Sequence, residues 1–334
     1  MKPRANTGMF CLACFVGHVL AGMFWRACSV RDDVGYGMAL EWIAVDWGTS
    51  NLRAWAMDGA RPIEMRGSDD GMGKLAPTEF EAALIRVVGP WLSDRVTPVL
   101  ACGMVGARQG WHEAPYRAAP CTPLGEVMAV ATSDPRIAVS IAPGLSQAAP
   151  ADVMRGEETQ IAGVLALLPG FDGVICLPGT HCKWAHVSAG EVVSFQTFMT
   201  GELFALLSTQ SVLRHGMASD AWDDAAFAVG LAATLSHPNL LAARLFTLRA
   251  EGLLAGLSAD AARSRLSGLL IGAELAAARP YWLGQRVVLV GAAALSDNYR
   301  KALAVQGVTA DILDATGCTL AGLSALYLNR KAAK

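Results

Sequence analysis

IAVDWGTSNLRAWAMD, residues 43–58, is the stretch whose reading decides the fold. Ile43 and Val45 alternate with Ala44 and Asp46; beyond the turn, Leu52, Ala54 and Ala56 alternate with Arg53, Trp55 and Met57. A period of two on both sides of a Gly-containing turn predicts a β-hairpin. The turn itself carries the chemistry. Asp46 ends the first strand, and Gly48, Thr49 and Ser50 follow as a compact run of backbone N–H and hydroxyl donors. Such a turn can hold phosphate oxygens, and an acidic side chain beside it can hold a magnesium ion, usually through water. Read alone, the stretch is equally an ordinary hairpin with a polar turn, because short motifs recur by chance.

The pattern recurs further along. In GVICLPGTHCKWAHV, residues 173–187, an apolar strand from Val174 to Leu177 runs into Gly179 and Thr180, and a second strand leaves over Lys183 to Val187. A third apolar strand, Val287 to Val290, runs into Gly291-Ala292-Ala293-Ala294. Three strands that each end in a glycine turn suggest three backbone walls around one nucleotide. In this order they resemble the superfamily of acetate and sugar kinases, heat-shock chaperones and actin. The resemblance implies a two-lobed α/β fold, actin-like (ribonuclease H-like), with mixed sheets flanked by helices and nucleotide in the cleft between the lobes. It makes the first hairpin the phosphate 1 element, the second phosphate 2, and the late glycine turn the adenosine element.

Composition bounds the remaining possibilities. A chain of 334 residues is long enough for two domains and a large core. With 53% apolar and 17% charged residues it is not a disordered chain. A net charge of −2 without a Lys/Arg-rich block argues against a nucleic-acid partner. The eight cysteines are scattered among apolar neighbours, as at Cys102, Cys176 and Cys318, and read as small core residues of a cytoplasmic, reducing compartment. Cys11 and Cys14 form a CxxC that lacks a second ligand pair. His181 and Cys182 are adjacent on a strand and point to opposite faces, which disfavours a metal site there.

Before the first hairpin, Met9 to Trp25 is strongly apolar and follows Lys2 and Arg4, the composition of a signal peptide or membrane anchor. His18 interrupts the run, which is short for a spanning helix. Met38 stands just before the first strand. Residues 1–40 are therefore expected to be an extension outside the fold, disordered or not part of the native start, with a membrane anchor as the alternative. After the hairpin, Gly71, Gly73 and Ala76 match GxGxxA, yet no apolar strand leads in, so a loop facing the substrate is expected rather than a cofactor turn. The absence of GxxxxGK[ST] excludes a P-loop.

Thr78 to Trp91 has helical spacing, with Thr78 as N-cap. Pro98 to Met104 reads as a strand that enters GARQGWHEAPY, residues 106–116. There Arg108 offers a planar fork suited to a carboxylate, and Gln109 offers amide hydrogen bonds. A solvated surface is the commoner fate of arginine, but Gly106, Gly110, Trp111 and Tyr116 favour a binding loop. Arg136 to Pro143 reads as another strand. DVMRGEETQ, residues 152–160, leads into a helix over Ile161 to Leu168, stopped by Pro169-Gly170. The helix dipole alone would favour its paired carboxylates. Gln196 to Phe204 contains a helix start capped by Thr200. Helical spacing returns over Ala221 to Leu235, Leu240 to Leu257, Ser264 to Ala278, Ser296 to Val305 and Thr319 to Leu328, with Gly317 at the turn before the last.

Four stretches are similar to the 2-dehydro-3-deoxygalactonokinase family: AVDWGTSNLRAW (44–55), CGMVGARQGWHEAPY (102–116), DVMRGEETQ (152–160) and LPGTHCKW (177–184). TFMTGELFALLS (197–208) also fits, and the resemblance covers the chain from Glu41 onward. It implies transfer of the ATP γ-phosphate, with Mg2+, to the 6-hydroxyl of 2-dehydro-3-deoxy-D-galactonate in galactonate breakdown. In carbohydrate kinases of the superfamily a Gly-Asp-Gln-Gln element before phosphate 2 supplies the general base. Gly156-Glu157-Glu158 occupies the matching place, with Glu157 favoured and Glu158 second.

By the same resemblance Asp46 would anchor hydrated magnesium. Gly48, Thr49, Ser50 and Arg53 would hold the phosphates from one side, Gly179 and Thr180 from the other. Gly291 and Ala292 would pack against adenosine. Arg108, Gln109, Trp111 and Arg155 would bind the sugar acid, with the two arginines on its carboxylate. An N-terminal lobe over 41–165 and a C-terminal lobe over 166–334 are expected to close on the cleft. A homodimer is the commonest assembly, and no membrane partner is expected. Two other readings stay open: a kinase of this fold for another sugar acid or sugar, and an ATP-switched binding or filament protein.

Overall fold

Each main sheet of the protein grows from one antiparallel hairpin. In the computed structural model, which describes residues 39–332, β1 (Trp42–Trp47) pairs with β2 (Leu52–Asp58), setting Asp46 opposite Arg53. β3 (Arg61–Ser68) continues the meander, and α1 (Phe80–Val88) crosses over so that β4 (Thr97–Gly103) lies parallel to β1. β5 (Tyr116–Ala118) leaves for a separate sheet, while β6 (Met128–Val130) and β7 (Ile137–Ile141) complete this one in the order β3-β2-β1-β4-β7-β6. Both faces of β1 are covered. Ile43, Val45 and Trp47 pack with Phe80 and Leu84 of α1 on one side, and Trp42 and Ala44 with Leu323 and Leu326 on the other. A strand buried on both faces reads as a nearly continuous apolar run.

β8 (Gly144–Ala148) and β9 (Ala151–Met154) join β5 in a three-stranded sheet. α2 (Glu157–Leu167) then leads to the second hairpin, β10 (Gly173–Leu177) and β11 (Cys182–Ser188), and to β12 (Glu191–Phe198). Five helices follow: α3 (Thr200–Thr209), α4 (Asp224–Ser236), α5 (Leu241–Leu254), α6 (Ala259–Ala277) and the short α7 (Arg279–Trp282). β13 (Val287–Gly291) returns parallel to β10, and α8 (Ala293–Ala304), β14 (Ala310–Asp314) and α9 (Ala315–Ala332) close the chain. The second sheet, β12-β11-β10-β13-β14, repeats the plan of the first: a meander on one side of the central strand, parallel crossovers on the other. These mixed sheets flanked by helices form the α/β arrangement that the resemblance implied.

The described residues belong to one compact unit, and two helices tie its sheets together. α2 buries Ile161 and Val164 against Ile175 and Val187 of the second hairpin and packs along α9. α9 then runs under the first sheet, where Tyr327 stacks on Trp42 at 4.6 Å between ring centroids and Lys331 pairs with Glu41. A division after residue 165 falls within α2.

Several local expectations need correction. Glu79, not Thr78, occupies the N-cap position of α1, without capping the helix by its side chain; its carboxylate instead accepts the Ala76 N–H at 2.7 Å. Thr200 is the first residue of α3 rather than its cap, because its hydroxyl is bonded to Glu274 instead, and residues 196–198 belong to β12. Gly317 lies inside α9 rather than in a turn before it, with its N–H on Asp314 Oδ2 at 2.6 Å. Among the described residues no single helix is long and apolar enough to cross a membrane; α4 and the segment Pro238–Leu254 pass that test only together, bent by 113°. The expectations for Met9 to Trp25 and for the Cys11/Cys14 pair lie outside the described residues.

Candidate active site

The three glycine turns meet at one cavity of about 390 Å3. Asp46, Gly48, Thr49 and Arg53 line it from the first hairpin, Gly179, Thr180 and His181 from the second, and Gly291 and Ala292 from the end of β13. Gly156 and Glu157, at the start of α2, form its floor with Gly103. Ser50 lines an adjoining cavity that shares Asp46, Thr49, Arg53 and Thr180 with the first.

Each glycine turn is braced from behind. The Gly48 N–H closes the first turn on Asn51 O at 2.9 Å, and the N–H groups of Met72 and Gly73 donate to Gly48 O and Thr49 O at 3.0 and 2.9 Å. Gly71 sits so close that a Cβ there would overlap the Ser50 backbone. The GxGxxA glycines thus serve packing behind the turn. At the second turn, the Glu202 N–H of α3 donates to Thr180 O at 2.9 Å, and a Cβ on Gly201 would overlap Gly179 O. The third turn abuts the second: a Cβ on Gly291 would come within 2.9 Å of Pro178 O.

Two glycines bring the carboxylates together. Gly103 ends β4 with φ +91° and Gly156 precedes α2 with φ +103°, conformations that disfavour other residues. A Cβ on Gly156 would lie 3.2 Å from Gly103 Cα, and one on Gly103 would lie 3.5 Å from Asp46 Oδ1. The close approach sets the start of α2 beside the end of β1. Asp46 itself is ion-paired with Arg53 across the hairpin.

The structure separates the two glutamates that the sequence could not. Glu157 lines the cavity, with Oε2 accepting the Arg155 N–H at 3.0 Å and Oε1 3.0 Å from Lys183 Nζ. Glu158 is only 1% exposed and does not line the cavity. Its Oε2 accepts the Gly156 N–H at 2.7 Å, and its Oε1 accepts the Thr159 hydroxyl at 3.1 Å. Burial, with the adjacent charge of Glu157, pushes its carboxyl up to about 8, so it carries a proton at neutral pH.

Arg155 is the expected substrate residue that the fold places at the cavity. It is 8% exposed, its guanidinium lies 4.3 Å from the centroid of the Tyr116 ring, and its Nη2 donates to Ala114 O at 2.7 Å. Its Nε and Nη1 have no protein partner. The 106–116 loop builds this pocket through backbone and ring, with Gly106 leaving room for Nη1. Arg108 and Gln109 are exposed and outside the cavity lining. Trp111 packs on Phe80 and Trp47 in the core, at 6.3 and 6.2 Å between centroids.

Two residues escaped the sequence reading. Lys183 is one. Glu274 of α6 is the other: it is buried and accepts bonds from Trp184 Nε1 at 2.7 Å, the Tyr299 hydroxyl at 2.7 Å and the Thr200 hydroxyl. Burial raises its carboxyl above the ordinary range. It ties β11, α8 and the α3 start that braces the second turn. A charged residue within an otherwise apolar strand or helix was the only sequence signal for either.

The sequence pattern of the 2-keto-3-deoxy-galactonokinase family matches residues 46–326. The chain is 38% identical over 275 residues to the 2-dehydro-3-deoxygalactonokinase of Escherichia coli (strain K12), covering 81% of this chain and 91% of that one. It is 41% identical over 292 residues to a Rhizobium meliloti (strain 1021) protein assigned the same activity, covering 84% and 95%. A crystal structure of a Sinorhizobium meliloti protein, also assigned as a 2-dehydro-3-deoxygalactonokinase, superposes with a TM-score of 0.80 at 39% identity, over 86% of this chain and 99% of that one.

Proposed function

The chain belongs to the 2-keto-3-deoxy-galactonokinase family, and from that membership we propose how its cavity phosphorylates the 6-hydroxyl of 2-dehydro-3-deoxy-D-galactonate with ATP. The observation that carries the substrate reading is Arg155. Arg155 lines the cavity, and two nitrogens of its buried guanidinium lack a protein partner; a carboxylate that reached them would satisfy them with bidentate, charge-assisted bonds. A neutral sugar would leave them unpaired at a cost. Arg108 and Gln109, on the exposed side of the same loop, would meet the acid only through movement of that loop.

Gly48, Thr49 and Ser50 face Gly179 and Thr180 across the cavities, offering donors to the β- and γ-phosphates from two sides, with Arg53 beside them. Gly291 and Ala292 would carry the adenosine. Asp46 presents one carboxylate to an open polar cavity, a donor set that fits magnesium carried on phosphate and water. When bound, that ion would offset phosphate charge. Glu157 acts as general base. As the hydroxyl oxygen bonds to the γ-phosphorus, its proton passes to the Glu157 carboxylate, and the bond from phosphorus to the β–γ bridging oxygen breaks to release ADP. Closure of one sheet's lobe toward the other would exclude water. A cytoplasmic place suits the five free cysteines of the described residues, and a homodimer is the simplest assembly.

The test is ADP release by the purified protein with Mg-ATP, offered 2-dehydro-3-deoxygalactonate, its gluconate epimer, a neutral hexose or no acceptor. Turnover that requires the galactonate-derived acid is expected. Equal turnover with the neutral hexose would remove the role given to Arg155.

A further inference from the structure

Lys183 is the first charged residue after the second phosphate turn, and it is almost entirely buried. Its side chain is 5% exposed, and its one ion-pair partner among the described residues is Glu157. The pleat dictates this placement. Cys182 and Trp184 face the core shared with Phe227 and Leu289, whereas Ala185 and Val187 face the core shared with Ile161 of α2. Lys183 alternates with Cys182 and Trp184, so it points toward α2, whose first residue is Glu157. Its cross-strand neighbours, Leu177 and Thr197, carry no charge. A buried ammonium needs a counter-charge, and Glu157 alone supplies it.

We propose that Lys183 is a positioning residue, fixing the Glu157 carboxylate against the reacting hydroxyl; the inference rests on the reading of Glu157 as the base. Lys183 holds Oε1 and the Arg155 N–H holds Oε2, so both oxygens are tethered from behind and neither can rotate out of the cavity. Because Lys183 follows the turn that carries Gly179 and Thr180, the same hairpin that presents the phosphate donors also sets the base, so phosphate and base are placed through one hairpin.

A double-variant cycle of Lys183→Met with Glu157→Gln tests this, read as kcat and as KM for ATP and for the sugar acid. Lys183→Met is expected to lower kcat by about a hundredfold, the scale of misplacing a reacting group by about 1 Å, with KM for ATP little changed. In the Glu157→Gln background it should lower kcat no further, because Lys183 acts only through that carboxylate. Lys183→Arg, which keeps the charge, should recover part of the loss. A folded Lys183→Met with the parent kcat, or losses that multiply in the double variant, would overturn the proposal. If Lys183→Met does not fold, Lys183→Gln carries the same cycle with the same outcomes. Parent kcat in Glu157→Gln alone would instead overturn the base itself; loss there with none in Lys183→Met would overturn only the lysine.

Discussion

Hairpin β1–β2 keeps its charge pair to itself, whereas hairpin β10–β11 sends its cation to another element. Their registers make the comparison direct. Asp46, two residues before Gly48, pairs with Arg53; Leu177, two residues before Gly179, pairs with Lys183. The basic residues therefore occupy corresponding cross-strand positions, Arg opposite a carboxylate in one hairpin and Lys opposite a leucine in the other. With a carboxylate opposite, Arg53 is satisfied within its hairpin and its side chain stays 41% exposed. With leucine opposite, Lys183 reaches Glu157 on α2 and is buried. An exposed pair is screened and worth little, while removing one partner of a buried pair leaves an uncompensated charge. One repeated plan thus yields one hairpin whose cation stays half-exposed at the cavity rim and another whose cation is buried against α2.

The sharpest test of that asymmetry lies in the two glutamates at the start of α2. Glu157→Gln should reduce kcat by about a hundredfold or more, as loss of a general base does. Glu158→Gln should leave kcat near the parent value, because its buried carboxyl faces Gly156 and Thr159 rather than the cavity. Steady-state kinetics of the pair decides between them, and the opposite ranking would break the comparison.

A smaller effect is expected from the glycines behind the turns. Gly201→Ala should raise KM for ATP by about tenfold, since overpacking costs about 1–3 kcal/mol. Gly201 adjoins Thr200, which is tied to buried Glu274, so the helix cannot retreat. Gly71→Ala should cost less, because the segment Met72–Lys74 behind it is held to the turn by two backbone hydrogen bonds and no fully buried residue, whereas Thr200 is tied to a buried carboxylate. Equal effects on KM would show that both turns are equally rigid.

Much of this was legible in the sequence, for stated reasons. The hairpins and β13 announce themselves because apolar strands that end in glycine turns have few other readings. The short strands β5, β6, β8 and β9 did not, being three to five residues without strict alternation. Arg108 and Arg155 both sit in glycine-bearing segments, and nothing local distinguishes the exposed one from the one stacked on Tyr116. The role of Lys183 depends on a partner on another element, so no spacing could reveal it. Thr200 reads as a cap because Glu202 and Leu203 follow it as a first helical turn; Glu274, far along the chain, claims its hydroxyl.

Arg53→Met extends the hairpin comparison at lower amplitude. Arg53 is half-exposed, so solvent screens its contact with phosphate and that contact is worth up to about 1 kcal/mol; KM for ATP should rise by no more than about fivefold, against the far larger kcat loss at Lys183. Stopped or quenched assays at low and high salt would separate them further: the Arg53 effect should fade with salt, and the Lys183 effect should persist.

The smallest predicted change in activity accompanies a change in stability. Glu158 has a folded-state carboxyl at about 8 against an ordinary value of 4.5. Between those limits the folded chain keeps a proton that the unfolded chain releases, so stability falls as pH rises through this window and levels off above about 8. Gln cannot titrate, and it still offers an oxygen to the Gly156 N–H and a donor to the Thr159 hydroxyl. Thermal denaturation of Glu158→Gln from about pH 5 to about pH 8 should therefore show a flatter Tm profile than the parent, with the variant gaining relative stability at the alkaline end. Parallel profiles would mean that Glu158 is ionised in the fold. Two adjacent charges would then stand at the start of α2 beside a single lysine, and the separation of one working carboxylate from one silent neighbour would fail.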